Sequence, residues 1–442
     1  MHFNAVDTVW LMTCSALVLL MTPGLALFYG GMVRAKSVLN MMMMSFASIG
    51  VVTLIWVFYG YSLAFGPDHG LGFVGDFSDL GLSNALVSTI GAEGHQVPTL
   101  VFAFFQLTFA IVTTALLSGA VADRIKFTAW LALIAAWVTF IYIPLAHMAF
   151  ASQNGDGGLF IDRLGVLDFA GGTAVEINSG ASALALALVI GKRVGFKRDP
   201  MRPHSLPLVL LGAGLLWFGW FGFNAGSALA ATGVAVVAIF NTQIAAAAAA
   251  LSWIAVEWKR DGRPTTLGVA SGAVAGAVAI TPSCGYVTPM GALVIGLVAG
   301  AVCAWAIGLK YRFGYDDSLD VVGVHGVGGA VGMLAIGLIA SSTANDAIGD
   351  GLFNGGGAGQ LVRQTVGIAL TAAFAFAGTW LIATIIDRLI GLRIDTEAEI
   401  AGVDTAEHAE SAYDFAGVVG AGHVGGSHHS GGHLNFRRNH EE

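Results

Sequence analysis

The chain has 442 residues, of which 56% are hydrophobic and 11% are charged, and its net charge at pH 7 is −8. This composition excludes intrinsic disorder, and it argues against a soluble multidomain enzyme, since soluble domains carry about 25% charged residues. The negative balance argues against a nucleic-acid partner. An all-α polytopic membrane protein remains.

Eleven apolar stretches are long enough to cross a membrane, since a span needs roughly 20 residues. They lie near residues 8–31, 39–65, 98–119, 127–150, 169–191, 205–230, 232–256, 265–283, 287–309, 319–341 and 361–388. No basic residue precedes the first stretch, and its apolar run continues past Pro23. We therefore interpret it as a transmembrane helix rather than a signal peptide.

The distribution of basic residues predicts the orientation. One set of loops, together with the segment after the last span, carries 18 of the 20 Lys and Arg residues, all except Arg163 and Arg363. Since basic residues concentrate on the cytoplasmic side, we predict an outer N-terminus and a cytoplasmic C-terminus. The outer loop after the second span contains Asp68, Asp76 and Asp79 with no Lys or Arg, which favours cations at the outer mouth.

The chain divides into a predicted transmembrane domain, residues 1–390, and a cytoplasmic tail, residues 391–442. The stretch Asp395–Phe415 contains seven acidic residues and is suited to docking on the cytoplasmic face. The Gly/His-rich stretch 417–442 is typical of disorder. Its five histidines have no cysteine partner and no fixed spacing, so a solvated, flexible end is favoured over a metal site.

Two segments in different halves of the chain share a spacing of polar residues. Asp168 lies eight residues before Glu176 at the start of span five. Asp317 lies eight residues before His325 at the start of span ten, and each ionisable residue is followed four positions later by a glycine. Eight residues are a little over two helical turns, so the polar groups of each segment lie near one face.

Spans five and ten enter the membrane from opposite sides because they are five spans apart. We therefore predict two inverted five-helix repeats, at about 8–191 and 205–341, followed by an eleventh helix at 361–388. The glycine runs Gly268–Gly276 and Gly323–Gly332 indicate tight helix–helix contacts. No nucleotide-binding glycine motif or metal-spaced cluster appears, so we predict no cofactor and no metal.

Glu176 and His325 lie well inside apolar spans. An ionisable group at that depth is costly, which favours a functional role with a partner inside the bundle. The alternative is a structural hydrogen bond to a neighbouring helix. If the two side chains touch, they share one proton and titrate as a pair. Such a pair exchanges protons with a small polar molecule but does not neutralise several bare cations.

Aromatic residues cluster in spans three and six, in the segments FFQLTF at 104–109 and WFGWFGFNAGS at 217–227. Most membrane aromatics are packing or interface anchors. Aromatic faces also attract cations, and here they coincide with Gln106, Asn224 and Ser227. We therefore predict a lined path, with an aromatic outer vestibule followed by a narrow apolar pore.

Seven segments resemble the ammonium transporter family, the Amt/Mep/Rh group. They are PGLALFYGGMVR at 23–34, FQLTFA at 105–110, GAVADR at 119–124, GVLDFAGGTAVEIN at 165–178, WFGWFGFNAGS at 217–227, ITPSCGYV at 280–287 and DDSLDVVGVHGVGG at 316–329. The tail sequence GLRIDTEAEIAGVDTAEHAESAY is also similar to the family's cytoplasmic tail. The resemblance runs from the first span to the tenth and implies a homotrimer in the cell membrane with one pore in each subunit.

The resemblance also implies roles for individual residues. Phe105, Phe150 and Ser227 would recruit external ammonium or methylammonium, and Asp168 would stabilise the recruitment region without necessarily touching the ion. Phe109 and Phe223 would form a stacked phenyl gate. Trp220 would line the path beyond the gate, and Gln106 and Asn224 are further predicted pore-lining residues. Glu176 and His325 would occupy the paired-histidine position and relay a proton.

Two positions depart from the family pattern. The family usually has two pore histidines, and here the first is Glu176, a substitution shared by some fungal members. The departure bears on the pH optimum and on how proton and ammonia move. The vestibule position often filled by Trp is Phe150, and a phenyl face binds cations more weakly, so we predict looser recruitment.

Other functions on the same fold stay open. An ammonium sensor would use the pore to signal through the tail, and an Rh-like channel would pass ammonia or carbon dioxide as a gas. A membrane-embedded enzyme is not favoured, because no nucleophile–base set appears. The resemblance further implies membrane lipid as surroundings and a PII-type nitrogen-signalling protein as a partner at the cytoplasmic face.

Overall fold

The computed structural model describes residues 2–152 and 157–413, and this part of the chain is mostly helical. Its apolar helices in chain order are α1 Ala5–Met32, α2 Ala35–Phe65, α3 Thr99–Val121, α4 Phe127–Phe150, α5 Gly172–Ile190, α6 Leu206–Gly226, α7 Gly233–Asp261, α8 Thr266–Ile280, α9 Pro289–Phe313, α10 Val322–Ile339 and α11 Gly359–Ile390. Ten helices of the described residues are long and apolar enough to cross a membrane. The chain is therefore a polytopic α-helical membrane protein, as predicted.

Helix α8 is shorter than the sequence indicated. It has 15 residues, which at 1.5 Å each span about 22 Å, less than the roughly 30 Å of a hydrocarbon core. A run of turns replaces the predicted continuation of the helix to residue 283. The prediction of eleven complete crossings depends on this helix and stays a prediction.

Polar residues fix where several helices begin. The Asn4 side chain accepts backbone N–H bonds from the first turn of α1. The hydroxyls of Ser205, Thr265 and Thr288 accept N–H bonds at the starts of α6, α8 and α9. These caps satisfy donors that have no partner within the helix.

Two helix boundaries differ from the prediction because a turn takes the place of predicted helix. Helix α6 ends at Gly226 rather than near residue 230, because the chain turns and Leu229 adopts a positive φ of 59°. Helix α5 begins at Gly172 rather than at 169, because the residues after Asp168 form a turn around its carboxylate. The polar residues that open α5 therefore precede the helix itself.

Close backbone contacts join the second half of the bundle. A Cβ atom added at Gly276 would overlap the carbonyl of Ala245 on α7, and one at Gly332 would overlap a backbone carbonyl of α8. Small residues allow membrane helices to approach this closely. The predicted tight contacts of the runs Gly268–Gly276 and Gly323–Gly332 are thus confirmed.

The tail folds back onto the membrane domain through two short helices, α12 Thr396–Ala401 and α13 Val403–His408. The carboxylates of Glu399, Asp404 and Glu407 accept backbone N–H bonds from the loop after α5 and from the first turns of α2 and α4. The acidic stretch therefore packs against the helices as far as Tyr413, and its cytoplasmic location stays a prediction. The stretch 417–442, with its predicted disorder and its histidines, lies outside the described residues.

Candidate functional site

Two phenyl rings from different helices stack on each other. Phe109 of α3 and Phe223 of α6 are both buried, with ring centroids 4.0 Å apart and planes inclined by 23°. Phe105, one turn before Phe109, packs against it at 60° with centroids 4.8 Å apart. The structure thus brings together the two residues that the sequence paired.

Polar and aromatic groups lie at one end of this stack. The Phe105 ring packs against Gly226, where an added Cβ would lie 2.8 Å from the ring. The partly exposed Ser227 hydroxyl donates to the Phe223 carbonyl at 2.9 Å. Phe150 is half-buried at the last residue of α4, and among the described residues no ring–ring contact joins it to Phe105.

A hydrogen-bond network fixes the indole of Trp220. Its Nε1–H donates to the Thr281 hydroxyl at 2.9 Å, and that hydroxyl lies 3.2 Å from Asn224 Oδ1. The Asn224 amide in turn donates to the Thr242 hydroxyl at 2.9 Å. Asn224 is therefore engaged in bonds that join α6 to its neighbours, whereas Gln106 lies buried on α3.

The Asp168 carboxylate organises the turn that leads into α5. It accepts backbone N–H bonds from Gly171 at 2.7 Å, Gly172 at 2.6 Å and Thr173 at 2.7 Å, and it also accepts the Thr173 hydroxyl. Four donors from its own segment satisfy this carboxylate. Its geometry fits a residue that shapes the region without binding a ligand directly.

Glu176 and His325 form a buried contact between α5 and α10. His325 Nδ1 lies 2.7 Å from Glu176 Oε2, and both side chains are at most 5% exposed. The other carboxylate oxygen, Oε1 of Glu176, has no hydrogen-bond partner among the described residues. The pair is thus able to hold one proton between its two members, with one acceptor oxygen left over.

Both helices open with a π-helical turn, Gly172–Ile177 in α5 and Val322–Gly326 in α10, and each turn carries one member of the pair. Glycines bring the two helices together. A Cβ at Gly180 would overlap the backbone of Gly326, and one at Gly329 would lie 2.6 Å from the Cβ of Glu176. π-helical turns recur at functional sites.

A cavity of about 20 Å³ lies between the phenyl stack and the pair. Phe223 and Trp220 line one part of it and Glu176 and His325 another, while Tyr29 and apolar side chains complete the wall. A water molecule needs roughly 10–15 Å³ of such space. The cavity therefore accommodates one molecule of the size of water or ammonia.

A family model described as the Ammonium Transporter Family matches residues 9–413. The chain belongs to the ammonium transporter family. It is 53% identical over 437 residues to an ammonium transporter of Mycobacterium tuberculosis, covering 94% of this chain and 91% of the relative. Membership makes the protein a multi-pass membrane protein of a transport family.

Solved structures agree with this assignment. The crystal structure of Candida albicans Mep2 matches with a TM-score of 0.84 and 34% identity, covering 93% of each chain. A structure described as a sensor Amt protein matches with a TM-score of 0.82 and 29% identity, covering 91% of this chain and 98% of that one. The helical membrane fold predicted from the sequence is confirmed.

In this transporter family member, the acidic loop after α2 has more neutralising contacts than its sequence indicates. Arg163 donates to Asp68 at 3.0 Å, and His69 lies 2.9 Å from Asp76. Hydrogen bonds from Ser78 and His69 lower the pKa of Asp76 to about 2. Much of the negative charge assigned to the outer mouth therefore has a local partner.

Sequence reasoning missed three side chains of the transporter's interior. Tyr29 lines the cavity, Thr281 holds the Trp220 indole, and His147 is fully buried at the end of α4. Tyr29 lies in the family-like segment at 23–34 and Thr281 in the one at 280–287, so those two segments carried a signal. For His147 the available signal was an imidazole at the end of an apolar run.

Proposed function

We propose that this chain recruits NH4+ at an outer aromatic vestibule, removes its proton and conducts ammonia through a narrow apolar pore. The observation that carries the proposal is the stacked Phe109–Phe223 pair beside a one-molecule cavity bounded by Glu176 and His325. The similarity to proteins named as ammonium transporters supports the choice of substrate.

The cost of burying charge selects the species that crosses. An ion that enters a dry path loses its hydration, and this costs far more for NH4+ than for neutral ammonia. The two stacked phenyl rings have no hydrogen-bonding atoms to replace the ion's hydration. Deprotonation before the gate therefore offers the path of lower free energy. Trp220 lines the cavity beyond the gate, and Gln106 and Asn224 are further pore-lining residues of the proposed path.

Recruitment relies on weak contacts. The half-buried Phe150 offers a ring face to a cation, which contributes about 0.5–1 kcal/mol at such a site, and the buried Phe105 ring lies behind the vestibule against the phenyl stack. The partly exposed Ser227 hydroxyl adds an acceptor, although it also donates to Phe223. Asp168 acts indirectly, by holding the turn before α5.

The released proton takes a separate route. Polar groups near Asp168 and the Glu176–His325 pair provide positions where a proton is held between oxygen and nitrogen atoms. Since Glu176 Oε1 has no hydrogen-bond partner in the described part of the chain, the pair both receives and returns a proton as one unit. Net transport is then electrogenic.

The deciding experiment measures methylammonium-evoked current and labelled methylammonium uptake in the same proteoliposomes across pH. We expect current and uptake to occur together, and protein-free liposomes serve as the control. Uptake without current would contradict the separate proton route and favour an Rh-like gas channel.

A sensor is the second candidate, because a structure described as a sensor Amt protein is among the similar ones. On that reading ammonium binds and the docked tail changes, while little substrate crosses. Substrate-dependent protection of residues 391–413 in hydrogen exchange, with neither current nor uptake, would support it.

We further propose the assembly that accompanies this function. The chain forms a homotrimer in the cell membrane, with a pore in each subunit between two inverted five-helix halves and the C-terminus in the cytoplasm. The paired contacts Gly180–Gly326 and Gly329–Glu176 support the inverted halves, since each half offers a glycine to the other's pore turn. A PII-type protein would dock on the tail face.

A further inference from the structure

Another buried ionisable side chain, His147, lies away from the pore pair. His147 belongs to the last turns of α4, and its side chain is 0% exposed. Its Nδ1 lies 3.0 Å from the carbonyl oxygen of Ala64 on α2, and its Nε2 lies 3.2 Å from a carboxylate oxygen of Asp68. The proposed transport path makes no use of this residue.

The two oxygens that face the ring both accept hydrogen bonds. A peptide carbonyl has no proton to donate, and an ionised carboxylate only accepts. A neutral imidazole has one N–H and one lone pair, so it satisfies only one of the two contacts. The observed geometry therefore requires a second proton on the pair formed by His147 and Asp68.

The surroundings of Asp68 place that proton on the ring. The N–H groups of Gly70 and Gly72 donate to the carboxylate at 2.7 and 2.8 Å, and Arg163 donates at 3.0 Å. Burial raises the pKa of Asp68, but these backbone bonds and the His147 ring outweigh burial and hold the pKa below its usual value. With Asp68 ionised, both ring contacts are satisfied only when the ring is an imidazolium.

The backbone of α4 and two loop hydrogen bonds connect the His147 ring to the proposed vestibule. His147 lies three residues before Phe150, so the two side chains share one face of α4. The N–H of Gly158 donates at 2.7 Å to the carbonyl of the residue after Phe150. The N–H of Leu159 donates at 2.9 Å to the carbonyl of Gly72, in the Asp68 loop. The contacts of the His147 ring therefore help to hold the end of α4 against the Asp68 loop and the loop that follows α4.

We propose that protonated His147 is a positioning residue for substrate recruitment, which ties the end of α4 and Phe150 to the Asp68 loop until the ring loses its proton. The inference rests on the proposed recruitment role of Phe150. Its consequence is an apparent ammonium affinity that falls as external pH rises through the titration of the ring.

Other charged and titratable groups share this region. Asp68 and Arg163 lie nearest the ring. The elements packed against this end of α4 also carry Tyr61, Tyr142, Asp162 and Glu176, and the Asp68 loop carries His69 and Asp76. Burial of the ring opposes its protonation most, and the nearby Arg163 cation adds to this, whereas the Ala64 carbonyl and the Asp68 carboxylate favour the protonated ring.

The test measures methylammonium-evoked current against concentration in proteoliposomes of the full chain, at external pH from about 5.5 to about 8.5. The parent is expected to show a KM that rises with pH. His147→Gln carries no charge, so its KM at acidic pH is expected to rise about threefold, the change that loss of one exposed cation–π contact corresponds to. The pH step in KM is expected to disappear, while the maximal current changes less.

His69→Gln is the matched control. It makes the same change at an exposed histidine of the Asp68 loop, which pairs with Asp76 at 2.9 Å. Its KM is expected to equal that of the parent at every pH. A KM step that disappears equally in this control would overturn the assignment to His147.

Arg163→Gln provides a second variant if His147→Gln does not fold. Removing the cation favours the imidazolium, so the KM step is expected to move about half a unit or more to higher pH. An unmoved step, or a KM raised equally at all pH values, would overturn the inference. A parent protein without current would instead overturn the proposed transport function, so the two failures are distinguishable.

Discussion

The openings of α5 and α10 share their polar spacing but differ in how their aspartates are satisfied. Asp168 accepts four hydrogen bonds from its own turn. Asp317 accepts the Val322 N–H at 2.7 Å on one oxygen, and among the described residues its other oxygen is buried without a hydrogen-bond partner. Lys310 donates to the Asp317 backbone carbonyl at 3.0 Å rather than to its carboxylate.

The backbone therefore determines where the two pore residues lie, whereas local hydrogen-bond donors determine the charge state of each aspartate. The same spacing, the same π-helical turn and the same glycine four residues on place Glu176 and His325 against each other. The state of charge at each opening depends instead on local donors. Burial raises the pKa of Asp317 to about 6, although the Lys310 cation opposes this shift.

The largest expected effect comes from removing the α5 member of the pair. Glu176→Ala leaves His325 without its proton partner, so methylammonium current in proteoliposomes is expected to fall about 100-fold or more, as for loss of a proton-transfer group. Glu176→His restores a partner and is expected to conduct with a shifted pH profile. Parent-like current and pH dependence in the Ala variant would assign Glu176 a structural role only.

Glycine-to-alanine variants test whether the openings of α5 and α10 are packed equally tightly. Gly180→Ala forces its Cβ into the backbone of Gly326, whereas Gly329→Ala meets the Cβ of Glu176 at 2.6 Å. Overpacking of this kind costs about 1–3 kcal/mol, and the loss in Tm is expected to be greater at Gly180 because backbone must move. Gly214→Ala on α6 is the control, since nothing lies within 4 Å of its added Cβ. Equal Tm values for all three variants would refute the packing argument.

A substitution at Asp168 tests whether the turn before α5 depends on the hydrogen bonds that the carboxylate accepts. Asp168→Asn replaces one acceptor oxygen with an NH2 group that faces the donors of Gly171, Gly172 or Thr173. A buried donor left unpaired costs about 1–3 kcal/mol, so Tm is expected to fall and KM for methylammonium to rise. An Asn variant as stable as the parent would mean that the turn before α5 does not depend on the carboxylate.

The smallest expected effect is at Asp317, and its sign depends on pH. The folded-state pKa of about 6 lies above the unfolded value of about 3.9, so the stability that this group contributes is present below about pH 4 and is lost as pH rises through about 6. Asp317→Asn removes this loss and keeps one oxygen for the Val322 N–H. Its Tm relative to the parent is therefore expected to gain about 2 °C between acidic and neutral pH. A Tm difference that is constant with pH would contradict this reasoning.

The sequence located the pore pair because an ionisable residue in an apolar run is costly and therefore informative. Glu176 and His325 stood out in this way, and the structure brings them to 2.7 Å. Thr281 did not stand out, because a hydroxyl is inexpensive in a helix and its partner Trp220 lies 61 residues away. His147 was missed for a related reason, since its partner Asp68 lies 79 residues away in a loop that is expected to be polar.

Helix lengths were predicted well where the apolar run and the helix end together, and poorly where a turn lies within the apolar run. Helix α8 ends at Ile280 although residues 281–284 remain mostly buried. Hydropathy reports burial rather than backbone conformation, so it extended this span too far. The turn after α8 places the Thr281 hydroxyl where it accepts the hydrogen bond of the Trp220 indole. The prediction of a continuous helix gave no reason to expect this contact.

The π-helical turns have a consequence for the register of the chain. Such a turn contains one residue more than an α-helical turn of the same height, and one residue corresponds to about 100° of rotation. Deleting a single residue of this turn before Glu176, from Gly172 to Val175, would therefore rotate the carboxylate more than a quarter turn away from His325, with every remaining side chain intact. The number of residues between each aspartate and its pore residue is as much a part of the site as the chemistry of those residues.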